Sequence, residues 1–275
     1  MLRGWLVILA VLGGVVFSFA AEPTSPLLSA DKQWAEARQY LADGKPQEAK
    51  AAFEALIEQY PREADLQLFL GLVLLRLRNP EASYAAVKRA VAINPSHIEA
   101  LTLLGWIDSE IHGNFGAAIA HYTKVTELRP DLPEAHNNLG VAQKRKGELE
   151  KAAQSFNQAI ERKPDYSSAL SNRGWVFAEQ KKWLEARRDF ERALQLNAHD
   201  DGALYGLSQA LREARDYAGA QKILSQLISR SANFVYWLEW GRIGLIRYYW
   251  VLLLIAIAFF LKGRLKKART ASNGG

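Results

Sequence analysis

The chain has 275 residues, 49% of them hydrophobic and 23% charged, with a formal net charge of +6. It contains no cysteine, which excludes disulfides, thiolate metal sites and a cysteine nucleophile. Its positive charge does not point to nucleic acid. Residues 21–241 hold 27 Lys/Arg against 29 Asp/Glu, a net of −2, and the basic surplus sits at the two ends.

The first element is a leader. Arg3 precedes an apolar run, Leu6–Phe19, and small residues Ser18 and Ala20 follow at a small-x-small spacing. A basic start, an apolar core and small residues at its end predict a secretory signal peptide over residues 1–20, cut after Ala20. An uncut signal anchor is the alternative reading. Residues 21–29 then form a linker. No strand pattern is read anywhere in the chain.

From residue 30 a period of 34–35 residues takes over. Pro61, Pro95, Pro130 and Pro164 recur at intervals of 34, 35 and 34. Counting back from Pro164 gives Gly140, Ala152, Phe156 and Ala159; the next unit repeats the set as Gly174, Ala186, Phe190 and Ala193, with Ala198 in the proline position. Two further units carry Gly71, Ser83, Val87 and Ala90, and Gly105, Ala118, Tyr122 and Val125. A weaker unit precedes them (Ala37, Gly44, Ala49, Phe53, Leu56), and one without a proline follows (Ser208, Tyr217, Ala220, Leu224, Leu227). Small residues let two antiparallel helices approach, a large one fills the gap to the next pair, and proline ends the second helix for want of an N–H. Lys146-Gly147-Glu148 reads as the short turn within a pair.

Over residues 30–233 this pattern resembles the tetratricopeptide repeat family, in units of about 30–63, 64–97, 98–132, 133–166, 167–200 and 201–233. The resemblance implies an all-α fold: a right-handed α-solenoid of six helix-turn-helix repeats that binds proteins or peptides on a concave face. That face comes chiefly from the first helix of each pair. Carried over by position, it comprises Leu68, Leu72 and Arg76; Thr102 and Trp106; Asn137, Val141, Lys144 and Arg145; Ser171 and Trp175; and Tyr205, Gln209 and Arg212. Trp106, Trp175 and Tyr205 offer flat apolar area with a polar tip, suited to recognition anchors, or else they pack between repeats. Asn137 and Lys144 partly match a set that clamps a terminal carboxylate in some relatives. Thr102 and Trp106 stand where its second half would be needed, so an internal partner segment is the expectation.

Residues 234–242 are read as a cap over the last repeat, or else as an interfacial helix with Trp237 and Trp240 in the headgroups. Ile243–Leu261 is expected to span a bilayer: nineteen residues rise about 28 Å. Trp237, Trp240, Arg247 and Trp250 flank it on one side, and Lys262, Arg264, Lys266 and Lys267 begin the basic tail 262–275 on the other. The charge bias puts that tail in the cytoplasm and the repeats on the periplasmic side of an inner membrane. His97, His112, His121, His136 and His199 show no ligand spacing and are taken as surface or turn residues. No enzyme activity, metal, cofactor or nucleic-acid partner is expected. The predicted role is a membrane-anchored scaffold for an envelope complex. A surface protein trimmed at a C-terminal sorting tag, or a non-catalytic subunit of a membrane enzyme, are the alternatives.

Overall fold

The computed structural model describes residues 8–12, 15–19 and 32–272. Among these, thirteen helices follow one short hairpin. They divide into two compact units, Met1–Pro164 and Asp165–Gly275. The first holds α1 (Lys32–Ala42), α2 (Pro46–Gln59), α3 (Ala64–Arg76), α4 (Pro80–Ile93), α5 (Ile98–Glu110), α6 (Phe115–Leu128), α7 (Pro133–Arg145) and α8 (Leu149–Arg162). In the second are α9 (Ser167–Glu179), α10 (Trp183–Leu196), α11 (Asp201–Glu213), α12 (Tyr217–Arg230) and the long α13 (Phe234–Ser272). Consecutive helices pair as six helix-turn-helix units, with α13 packed on α12.

The hairpin departs from the expectation of no strands. β1 (Ile8–Leu12) and β2 (Val15–Phe19) pair antiparallel, with Ile8 opposite Phe19 and Leu12 opposite Val15. The sequence carries the reason: Gly13-Gly14 lies between two runs rich in β-branched and aromatic residues, a strong hairpin signal. The expected cleavage after Ala20 and the expected linker 21–29 fall outside the described residues.

The small-to-large pairing has a direct geometric basis. A Cβ added at Gly140 would lie 2.7 Å from the Phe156 ring, at Gly174 2.8 Å from Phe190, and at Gly105 2.8 Å from Tyr122. At Gly71 it would collide with Val87. The large residue therefore packs first against the glycine of its own pair. In the second unit Phe190 also meets Gly206 of the following pair, so one ring welds two repeats. The weak first repeat is completed by Trp34, whose ring meets Phe69 at 4.9 Å and Phe53 at 5.8 Å, edge-on in both cases.

A second period comes from the backbone. Every turn within a pair holds one left-handed residue: Gly44, Arg78, Gly113, Gly147, Lys181 and Arg215, with φ between 57° and 85°. Three are glycine, for which this region costs nothing, and three are long cations that tolerate it at some strain. The turn thus persists in all six repeats, including those without a terminal proline. α10 and α12 stop at Leu196 and Arg230 even so, because Asn197 and Ser231 leave the helical region. Loss of the proline does not make the sixth repeat run on; Ser231–Asn233 breaks the chain before α13 starts afresh at Phe234.

Candidate partner-binding surface

In the first unit the positions expected to face a partner fall into two groups. Leu68, Leu72 and Trp106 belong to the buried core, Trp106 at 7% exposure, and Asn137 is buried as well. β2 lies against α5, the helix that bears Thr102 and Trp106. Thr102 turns its hydroxyl back to the Ile98 carbonyl at 2.8 Å, which spends its donor inside the helix. Arg76, Val141, Lys144 and Arg145 keep solvent-accessible surface. Arg76 reaches the carbonyl of Leu41 in the preceding repeat at 2.5 Å, and Arg145 pairs with Glu110 at 2.6 Å. These cations join neighbouring first helices while their outer edges stay wet.

In the second unit Trp175 is half-buried and makes an edge contact with Phe190 at 5.4 Å. Its ring also lies 6.2 Å from Tyr205, which in turn lies 5.4 Å from Tyr236 of α13. Arg212 donates to Glu239 of α13 at 2.9 Å. Tyr205, Ser208, Gln209, Arg212, Leu224, Glu239 and Ile243 line one shallow crevice. The sixth repeat's expected partner residues are therefore covered by the chain's own last helix. Sequence position could not reveal this, since the residues match the repeat pattern whichever helix covers them.

Two buried polar clusters also escaped the sequence reading. His97, taken above as a surface or turn residue, is buried just ahead of α5. Its Nε2 lies 3.0 Å from Asp65 Oδ1, and its Nδ1 lies 3.2 Å from Glu99 Oε2. Burial alone would push the imidazole pKa down, but the hydrogen bonds and charges of Asp65 and Glu99 outweigh it and raise it to about 9. The Glu99 carboxyl is correspondingly lowered: its burial acts upward and is outweighed by the bond from His97. A protonated His97 thus ties the first turn of α3 to the start of α5.

Asp108, 1% exposed, anchors the other cluster. His112 Nδ1 approaches one of its oxygens at 3.3 Å; His121 Nε2 stands 3.3 Å from the other, within ion-pair range but not aligned as a hydrogen bond. Burial lowers the His121 pKa despite Asp108, and burial followed by Asp108 raises that of Tyr84. His136 is buried too, with Nε2 3.0 Å from the Pro130 carbonyl. Arg162 donates to that same carbonyl, and Arg230 donates to Ala198 at 3.2 Å in the equivalent place. The terminator position is thus a carbonyl acceptor for the next repeat as well as a helix stop.

α13 is long and apolar enough to cross a bilayer. Phe234–Lys262 covers 29 residues and contains a window of mean hydropathy 2.1, almost all of it uncovered. The residues read as a cap, 234–242, are its first turns, and the expected span 243–261 continues them without a break.

Stacked helix pairs with a small-to-large seam, a left-handed turn and a closing helix define an α-helical repeat protein. Tetratricopeptide repeat family models match residues 35–98, 133–166 and 177–238, and a TPR repeat model matches 112–147. The chain belongs to the tetratricopeptide repeat family, whose members are generally protein-interaction scaffolds. Among solved structures it is similar to the pilF protein of Pseudomonas aeruginosa: 17% identity and TM-score 0.67, over 76% of this chain and 94% of that one. A tetratricopeptide repeat protein from Parabacteroides merdae gives 16% and 0.67, over 79% and 86%. MamA from Desulfovibrio magneticus RS-1 gives 18% and 0.57, over 62% and 95%. At these identities the likeness is one of fold. No curated protein matches the sequence.

Proposed function

We propose that this chain is a single-pass membrane scaffold whose repeats hold a partner protein on the extracytoplasmic side, in the assembly of an envelope complex. One observation carries the reading: the helix that closes the repeat stack is the same continuous helix that is able to cross a bilayer. A stack built to bind protein is thereby joined to an anchor without a flexible linker. The basic residues after Leu261 support a cytoplasmic tail. Trimming near residue 240 would cut α13 within its contacts to α12, which favours an uncut anchor over a sorting tag.

An internal, extended segment is the partner that suits the accessible side chains. Val141 supplies apolar surface, and Lys144 and Arg76 supply donors for backbone carbonyls or acidic side chains. Photocrosslinking in intact membranes tests this. A photoreactive residue at Val141 or Lys144 is expected to give an adduct of defined mass, and one at exposed Gln154 on α8 none. Equal adducts from all three positions, or none from the first two, would contradict the assignment of this face.

A further inference from the structure

We propose that the edge of the sixth repeat is seated in the headgroup layer of the bilayer, with α13 from Trp240 to Leu245 as its lipid contact. This rests on the reading that α13 spans the membrane. The argument begins from which side of α13 is already used. Tyr236, Glu239, Ile243 and Arg247 fall on one face, and Ile243 is only 1% exposed. From that side and its flank, Glu239 accepts from Arg212, Trp240 Nε1 donates to Ser225 Oγ at 3.1 Å, and Arg247 donates to Gln221 Oε1 at 3.2 Å. On the opposite face Phe234, Leu238 and Leu245 form a ridge exposed by 69%, 56% and 64%. Helical spacing of four and seven residues keeps the three in line.

Length supplies the second step. The clamp to α12 reaches Arg247, so a repeat held clear of the lipid would leave only Tyr248–Leu261 to cross. Fourteen residues rise about 21 Å, against a hydrocarbon core of roughly 30 Å. Starting at Ile243 restores about 28 Å, but Ile243 and Arg247 are gripped by the repeat. The span and the clamp therefore overlap. α12 runs antiparallel to α13, since Ser225 meets Trp240 and Gln221 meets Arg247. Its first turn, at Tyr217, accordingly points toward the bilayer. Both demands are met when this edge of the sixth repeat enters the interface: with Leu245 at the acyl boundary, Arg242 and Trp240 stand about 5–8 Å further out, at headgroup depth, and Leu238 and Phe234 lie beyond them.

The chemistry of this stretch suits a phospholipid interface. Trp240, 38% exposed on the flank of the clamped face, presents the apolar body favoured at that depth while its N–H is held by Ser225. Arg242 is exposed beside it, carrying a cation to phosphate level.

The natural chain lacks cysteine, so single introduced thiols report cleanly. Full-length Ser229→Cys, Leu245→Cys and Ala256→Cys would each be reconstituted in phosphatidylglycerol–phosphatidylethanolamine vesicles and treated with a water-soluble maleimide. Ser229→Cys should label fast, Ala256→Cys only after detergent, and Leu245→Cys at least tenfold slower than Ser229→Cys. A fluorophore attached at Leu245→Cys should be quenched by acyl-brominated lipid. Fast labelling of Ala256→Cys would remove the span itself, and with it the broader reading. Protected Ala256→Cys with Leu245→Cys as fast as Ser229→Cys would overturn the seating of the repeat alone. Slow labelling without bromolipid quenching would mean that protein, such as a second copy of this chain, covers the ridge; that too overturns the proposal.

Discussion

Lys181 shows at residue scale how the repeat tolerates strain. Its φ of 61° places an L-residue in the left-handed region, where Gly147 sits at 85° at no steric cost. Lys181→Gly should therefore stabilise the fold by about 0.5 kcal/mol, the relief being partly offset by a freer unfolded chain. Gly147→Ala should cost about 1 kcal/mol. Chemical denaturation midpoints of the two variants check the opposite signs. At the seam, Gly140→Ala drives a methyl into the Phe156 ring and should cost about 1–3 kcal/mol. His97 gives the pH dependence. Its folded pKa of about 9 exceeds the unfolded 6.5, so its contribution is complete below pH 6.5 and fades as pH rises toward 9. Glu99 acts in the other direction: its folded pKa is lowered, so its share is present above pH 4.5 and fades in acid. Stability should fall between pH 6.5 and 9 in the natural chain and lose that slope in His97→Gln. The variant also leaves buried Asp65 without its cation, at a cost of about 3 kcal/mol.

Among elements, the helix pairs were legible because their determinants are local and periodic. Glycine opposite a ring, a terminal proline and a 34-residue spacing each act within one repeat or its neighbour. The left-handed turns at Arg78, Lys181 and Arg215 were not legible, since nothing about a lysine or arginine announces a positive φ. Nor were the buried His97 and Asp108 clusters: Glu99 and His112 are local partners, but the pairs His97–Asp65 and His121–Asp108 join different helices and form only when these stack. Residues 8–19 differ: hydropathy describes only an apolar run there, whereas Gly13-Gly14 between two short apolar segments carries the hairpin signal. A cap over the last repeat is legible in residues 234–242, but not that it lies on Tyr205 and Arg212 themselves. That clamp makes a prediction of its own. Arg212→Ala should remove the tie to Glu239 and weaken the first turns of α13 by about 1 kcal/mol. Hydrogen exchange should then quicken over residues 234–243 and stay unchanged in α9 and α10.

For the whole molecule, charge and hydropathy act together. The repeats are nearly neutral, the basic surplus sits at the two ends, and the one described helix able to cross a bilayer packs on the last helix pair. Under the proposed function, α13 serves the repeats as cap and anchor at once, and partner capture takes place at the membrane surface. Protease added to right-side-out spheroplasts tests this arrangement most directly. The account predicts that the repeats are digested while a short fragment containing the C-terminal part of α13 and the tail stays in the membrane. Full-length protein surviving until the membrane is dissolved, or fragments all released to the supernatant, would contradict it.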